Sequence, residues 1–160
     1  MITIQEAGRR HVDAIVDLWK ALMEIHRKLD EDFFYATEYT DEDYETILIE
    51  TIQSCSEERK IFIALHNEEV VGYVTIEVLR FSMLMYNFDS FCVIGDIMVA
   101  EPYRNQGIGK MLLNEAKKNG KEQNVKKLKV NVFGKNKSSY EYFKNLGFEN
   151  MMYQMTMRIE

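Results

Sequence analysis

The sequence predicts an α/β chain with a mixed central sheet flanked by helices, and three observations carry that prediction. Alternating or continuous apolar runs at Ile2 to Ile4, Lys60 to Leu65, Val70 to Val78, Cys92 to Val99, Lys127 to Phe133 and Met152 to Ile159 read as strands. Apolar residues at helical spacing fall between them, so the order is βααβββαβαβ. A helix connects the strands near Val99 and Lys129, and such a crossover makes the two strands parallel; the polar His66 to Glu69 link instead predicts an antiparallel hairpin.

Each element has its own signal. From about Arg9 to Leu29, Val12, Ile15, Val16, Trp19, Leu22, Met23 and His26 make one stripe of a long amphipathic helix. Asp30 to Tyr35 is an acidic and aromatic loop. Thr40 or Asp41 caps a second helix whose stripe is Tyr44, Ile47, Leu48, Thr51 and Ile52. The stretch Phe81 to Phe91 is unusually apolar for a loop, and it serves either as a contact surface for a partner or substrate or as the tip of a longer hairpin. Gly95 weakens its strand, which points to a bulge or a close backbone approach. A helix from Gly107 to Asn119 turns Ile108, Met111, Leu112 and Ala116 inward, and the helix from Asn136 to Leu146 stops at Gly147.

At 160 residues and 46% hydrophobic content, residues 1–160 form a single domain able to bury a core without disulfides or a structural metal. The N-terminus lacks a signal-peptide pattern and no apolar run has the length of a membrane span, so a soluble, cytoplasmic protein with no membrane partner is expected. Cys55 and Cys92 form no Cys-x-x-Cys pair and read as reduced thiols. His11, His26 and His66 have no metal-ligand spacing, and no metal is expected. From position 101 onward there are twelve Lys and Arg against six Asp and Glu, whereas the first hundred residues carry eight against twenty. A net charge of −6 argues against nucleic acid as a partner, while the basic half suits a phosphate-bearing ligand and the acidic half a cationic amine.

The most informative run is Val99-Ala-Glu-Pro-Tyr-Arg104-Asn105-Gln106-Gly107-Ile108-Gly109-Lys110, which leaves an apolar strand and opens a helix. Backbone N–H groups there converge with the positive end of a helix dipole, which makes a site for phosphate. A P-loop would need Ser or Thr where Met111 stands, and a dinucleotide fingerprint would need glycine at Leu112.

Arg-x-x-Gly-x-Gly at Arg104 to Gly109, the strand Asp96-Ile97-Met98-Val99 before it, and Asn136 with Phe143-x-x-x-Gly147-Phe148 after it together resemble the acyl-CoA site of the GCN5-related N-acetyltransferases, the GNAT superfamily. The element order matches that fold along nearly the whole chain; the motif covers about 96 to 148. The resemblance implies acetyl-CoA as cosubstrate, with pantetheine paired to the backbone of Ile97, Met98 and Val99 in a gap between splayed strands. It also implies the Val99 N–H as donor to the thioester oxygen, the pyrophosphate at Arg104 to Lys110, and Asn136 on the pantetheine arm. A homodimer is expected as well, through the Phe81 to Phe91 stretch and the Met-rich C-terminal strand.

Transfer to an amine needs a base, and Asp96 matches an acidic position frequent in the family; a structural role for it is equally compatible, and Glu24, Glu31 and Glu77 are rivals. Many members carry a tyrosine as acid where this chain has Phe143. Tyr142 beside it is the candidate acid and Tyr140 a further one, although neighbours on a helix point about 100° apart; the resemblance puts Phe143 itself on acetyl-CoA. The resulting expectation is an N-acetyltransferase acting on a small-molecule primary amine by direct transfer in a ternary complex. A peptide or protein N-acetyltransferase and a non-catalytic acyl-CoA-binding regulator are the alternatives.

Overall fold

The computed structural model describes residues 1–30, 40–54, 56–80, 90–157 and 159. All of the expected Asp30 to Tyr35 loop but Asp30 itself, including Glu31, together with Cys55 and nearly all of the Phe81 to Phe91 stretch, therefore lies outside the described residues.

Five strands form one sheet in the order β1 (Ile2–Glu6), β2 (Arg59–His66), β3 (Glu69–Leu79), β4 (Phe91–Val99), β5 (Lys127–Val130). The first four run antiparallel to their neighbours and β5 runs parallel to β4, as the crossover requires. The crossover is α3 (Ile108–Glu122). Asn67 and Glu68 turn the β2–β3 hairpin with positive φ, the conformation that the right-handed twist of paired strands favours.

Helices cover both faces. α1 (Val12–Leu29) and α2 (Asp41–Gln53) seal one face around Ile15, Leu48, Ile63 and Tyr73, while α3 and α4 (Lys137–Asn145) seal the other around Val74, Ile94, Leu112 and Phe143. Thr40 begins α2 with a reciprocal cap: its hydroxyl accepts from the Asp43 N–H, and the Asp43 carboxylate accepts from the Thr40 N–H at 2.6 Å. Burial on both faces explains why β3 and β4 read as near-continuous apolar runs.

Gly95 is the bulge that its position predicts. The β3–β4 register shifts between Val74 and Ile76, and a Cβ on Gly95 would lie 2.7 Å from the Thr75 hydroxyl. That hydroxyl accepts from the Asp96 N–H at 2.8 Å. The extra residue re-aims the chain, and the Asp96 side chain reaches the face covered by α1 and α2.

Four expectations need correction. Ile47 is 47% exposed, so α2 is anchored by Leu48 and Tyr44 instead. Met111 lies at the edge of the α3 stripe, and Leu113 is the buried neighbour. The strand expected over 127–133 is paired only through Val130, because the chain turns away from β4 there. The Met152 to Ile159 strand is not formed over the described residues: Tyr153, Met155, Met157 and Ile159 are 80–93% exposed, and no described strand supplies them a ladder.

Candidate functional site

The site begins where the sheet opens. β4 and β5 pair from Phe91↔Lys127 to Ile94↔Val130 and then part, leaving a cleft of about 70 Å³ between 95–97 and 130–133. Val99 sits opposite Gly72, and the next bond in the ladder runs from the Ala100 N–H to the Val71 carbonyl at 2.9 Å. In antiparallel pairing this marks Val99 as a residue whose own N–H and C=O turn away from β3. Ile97, two residues earlier, shares that direction. Both therefore offer backbone groups to the side where β5 has left. Met98 is a correction: it is paired with Tyr73, its amide faces β3, and its side chain is buried under α1.

Past the end of β4 lies the turn from Arg104 to Lys110. Asn105 and Gly107 take positive φ, 61° and 80°, and together they swing the chain into α3. The first helical bond runs from the Met111 N–H to the Gly107 carbonyl at 3.1 Å, so the N–H groups of Ile108, Gly109 and Lys110 precede the ladder and project from the helix end. Gln106 braces the turn by donating to the Pro102 carbonyl at 3.1 Å, and buried Ile108 pins it to the core. Lys110 is exposed and adds its charge at this end.

Arg104 behaves differently from the expectation. Its Nε donates to the Val99 carbonyl at 3.0 Å, and its guanidinium lines a second hollow, of about 370 Å³, beside Glu24 and Ile25 of α1. The residue fixes the end of β4; it is not aimed into the phosphate turn. This bond also uses the outward carbonyl of Val99 while leaving its N–H on the side turned away from β3.

The α4 residues divide between the cleft and the turn. Asn136 caps α4, its Oδ1 accepting from the Ser139 N–H and the Ser138 hydroxyl at 3.1 Å each, and this almost fully buried side chain also lines the cleft. With Oδ1 so engaged, its amide NH₂ is the part available to a ligand. Phe143 is buried in the cleft wall and packs edge-on against Phe148 at 5.2 Å. The Tyr142 hydroxyl lies over Gly109, only 2.5 Å from where a Cβ would stand. It belongs to the turn at 104–110. Tyr140 accepts from Asn150 at 3.1 Å on the surface of α4, away from the cleft lining.

Asp96 stands in the cleft itself. Its Oδ2 accepts a hydrogen bond from the Tyr44 hydroxyl at 3.0 Å, and the Tyr44 ring stacks on Trp19 with centroids 4.1 Å apart. Burial raises the Asp96 pKa, against the lowering effects of the Tyr44 hydrogen bond and the nearby His26 charge. His26 lines the same cleft, and its pKa is lowered by burial, which the Asp96 charge partly opposes. The buried Tyr73 hydroxyl is close enough to Tyr44 to influence its ionisation but outside hydrogen-bonding geometry. Lys135 pairs with Asp30 at 2.7 Å and so joins the end of α1 to the loop before α4.

The two rival carboxylates among the described residues, Glu24 and Glu77, are otherwise engaged. Glu24 pairs with Arg27 and Lys28 along α1, and Glu77 pairs with Arg59 at 2.8 Å on the surface. Asp96 is the described carboxylate that faces the cleft. Sequence reasoning missed Tyr44 as its partner, since only its place in an apolar stripe marked that residue. Among the described residues no group of His, Cys, Asp and Glu could hold a metal, and no helix is long and apolar enough to cross a membrane. Cys92 is a buried thiol with its pKa pushed up to about 11.

Residues 19–148 match the model of the acetyltransferase (GNAT) family. No curated protein sequence matches the chain. Among solved structures, the fold is shared with the BH1408 protein of Bacillus halodurans, seen as a tetramutant, at TM-score 0.87 and 19% identity over 98% of this chain and 99% of that one. It is shared with the aminoglycoside N-acetyltransferase AAC(6')-Iy bound to a CoA bisubstrate analogue, at TM-score 0.76 and 16% identity over 100% and 99%. A glucosamine-6-phosphate N-acetyltransferase of Arabidopsis thaliana aligns at TM-score 0.69 and 16% identity, again over 100% and 99%.

Proposed function

The chain belongs to the GNAT acetyltransferase family, and from that premise we propose that it transfers an acetyl group from acetyl-CoA to the primary amine of a small molecule. The observation that carries the reading is the parting of β4 from β5 beyond Ile94 and Val130, which sets the Ile97 and Val99 amides on the side that β5 has left, with Asp96 in the cleft and the turn at 104–110 past the end of β4. A pantetheine arm laid in that cleft pairs with β4 as an added strand would, and Asn136 reaches it from α4. The diphosphate meets the N–H groups of Ile108, Gly109 and Lys110.

Each chemical step then has a group. The free amine attacks the thioester carbonyl, and negative charge gathers on its oxygen, to which the fixed Val99 N–H donates; such a donor contributes on the order of 3 kcal/mol in the transition state. Asp96 takes the proton lost by the nitrogen, directly or through one water. Its burial favours this, because a raised pKa makes the carboxylate a stronger base. The tetrahedral adduct collapses, the C–S bond breaks with its electron pair on sulfur, and the amide and CoA thiolate separate. Phe143 holds the wall position beside the cleft and has no proton to give. A thiolate of pKa about 8.5 leaves without a dedicated acid and takes its proton from water.

Small amines are favoured over peptides by the small volume of the cleft and the side chains gathered on Asp96, where Tyr44, stacked on Trp19, holds the carboxylate and His26 lines the cleft. The aminoglycoside and glucosamine-6-phosphate acetyltransferases that share the fold act on amines of that kind. The deciding experiment pairs calorimetry of acetyl-CoA binding with CoA release across amino sugars, polyamines, aminoglycosides and peptides. Micromolar binding with release driven by a small amine is expected. Tight binding with no release for any acceptor would favour a regulator, and release with peptides alone would favour a peptide acetyltransferase.

A further inference from the structure

Tyr73 does not fit the surroundings that hold it. It is 0% exposed on β3, packed among Ile15, Leu48, Ile63 and Met98, and its hydroxyl makes no hydrogen bond among the described residues. A buried hydroxyl left without a partner destabilises the fold, and phenylalanine would fill the same space without that loss. The register sets Tyr73 opposite Met98, two residues past Asp96, on the face covered by α1 and α2. What lies beside the hydroxyl gives it a use.

Tyr44 is its polar neighbour. The Tyr44 ring is held by its stack on Trp19, and its single hydroxyl hydrogen is committed to Asp96 Oδ2 at 3.0 Å, so the Tyr44 oxygen is left able only to accept. Burial and the Asp96 charge raise the pKa of both tyrosines, but the two act on each other in opposite senses: Tyr44 raises Tyr73 further, whereas Tyr73 lowers Tyr44. That asymmetry marks a donor at Tyr73 and an acceptor at Tyr44. The two hydroxyls stand outside bonding geometry here, and Tyr44, half-buried on α2, is the ring with room to close on the locked Tyr73.

We propose that Tyr73 is a positioning residue, donating to the Tyr44 oxygen so that the two tyrosines act in series on Asp96. The bonds run from the Tyr73 hydroxyl to the Tyr44 oxygen, and from the Tyr44 hydroxyl to Asp96 Oδ2. A hydroxyl whose own oxygen accepts a bond is polarised and donates more strongly, by about 10–30%. The series keeps charged a carboxylate that burial would neutralise, and it fixes Oδ2 so that Oδ1 receives the amine proton. Among the described residues, the titratable groups that face Asp96 are His26 on α1, Tyr44 on α2 and Tyr73 on β3. Asn131, Asn136 and Ser139 line the cleft from the other side and do not titrate. The catalytic consequence rests on the reading of Asp96 as the base, but the series itself is measurable without acetyl-CoA or an acceptor.

Carbon-13 titration of the Asp96 carboxyl in the full, ligand-free chain tests this, with Asp96→Asn assigning the signal. Tyr44→Phe should raise the midpoint, and Tyr73→Phe should raise it by about a quarter as much. In the Tyr44→Phe background, Tyr73→Phe should change nothing, because the path runs through the missing hydroxyl. An unmoved midpoint in Tyr73→Phe would make Tyr73 a structural residue and overturn the proposal. An equal displacement with and without the Tyr44 hydroxyl would overturn it too, since Tyr73 would then act on Asp96 directly. Phenylalanine nearly conserves the volume, so both variants should fold. The wild type supplies a reading that needs no variant: the Tyr73 hydroxyl proton should appear as a slowly exchanging resonance with a cross-peak to the Tyr44 hydroxyl proton, and a missing cross-peak would break the series. Acetyl transfer with an unmoved midpoint would remove the series and leave the acetyltransferase standing; a moved midpoint in a protein that transfers nothing would do the reverse.

Discussion

The two ends of the site are built by opposite means. The phosphate turn is a backbone device: residues 104–110 are consecutive, two positive φ angles set the bend, and the working groups are N–H donors that any side chain carries. The Asp96 end is a side-chain device assembled from α1, α2, β3 and β4, with Trp19, Tyr44 and Tyr73 brought from 23 to 77 positions away along the chain. A backbone site fixes which cosubstrate is held. A side-chain site is free to change, and it sets what reacts and at which pH.

If the division is right, substitutions at the two ends separate binding from chemistry. Asp96→Asn should lower turnover by about 10²–10⁴ while calorimetric acetyl-CoA affinity stays within about twofold. The same variant has a signature in stability. Burial raises the Asp96 pKa above its ordinary 3.8, so the stability associated with the protonated carboxyl is present at low pH and lost as pH rises through the raised value. Thermal denaturation should therefore show Asp96→Asn gaining on the wild type as pH increases through that range. A variant with intact turnover and no such gain would make Asp96 a structural residue.

At the turn the effect should fall on affinity alone. Gly107→Asp forces a β-carbon onto φ 80° and sets a carboxylate at the turn proposed for the diphosphate, so acetyl-CoA affinity should drop about 100-fold in calorimetry with the fold retained. Equal affinity in a folded variant would remove the phosphate from this turn.

Tyr44→Phe sharpens the comparison from the reacting end. The Tyr44 hydrogen bond lowers the Asp96 pKa, so its loss moves that pKa further up, and the acid limb of the kcat profile should shift to higher pH. Turnover at neutral pH should fall by no more than about tenfold, since the base remains in place. An unmoved limb would mean that the group titrating in the profile is another one, with His26 the nearest alternative.

This division also explains what could be read from the chain before folding. The turn is legible because glycine spacing, a preceding apolar run and a following helix all lie within one short segment; the same locality makes the element order, the crossover and the irregularity at Gly95 legible. Arg104 was misjudged because a long side chain is free to bend back, and only the folded chain shows the Val99 carbonyl that it meets. In the sequence Tyr44 is one more residue of an apolar stripe, since nothing local announces a contact 52 residues away. The Met152 to Ile159 segment carries a strand pattern without a strand, because alternation specifies a face and cannot supply the neighbour that face requires.

The smallest expected effect lies at the junction of α4 with the turn. Tyr142→Phe should leave turnover nearly unchanged, since the hydroxyl sits over Gly109 and not beside Asp96. Abolished turnover with acetyl-CoA binding intact would instead make Tyr142 the acid. A finer test comes from Gly109 itself. Alanine there gains helix propensity, up to about 1 kcal/mol over glycine, but its Cβ would meet the Tyr142 hydroxyl at 2.5 Å. Tyr142 is 38% exposed and able to swing aside, so Gly109→Ala alone should be close to neutral in denaturant unfolding, with the gain and the displacement offsetting each other. Removing the hydroxyl leaves the ring carbon at 3.4 Å, an ordinary contact, and Gly109→Ala should then stabilise the Tyr142→Phe protein by about 0.5–1 kcal/mol. The difference between the two backgrounds is the coupling energy of the pair. A value near zero would show that the hydroxyl does not rest on Gly109 in solution, and would free Tyr142 to face the cleft.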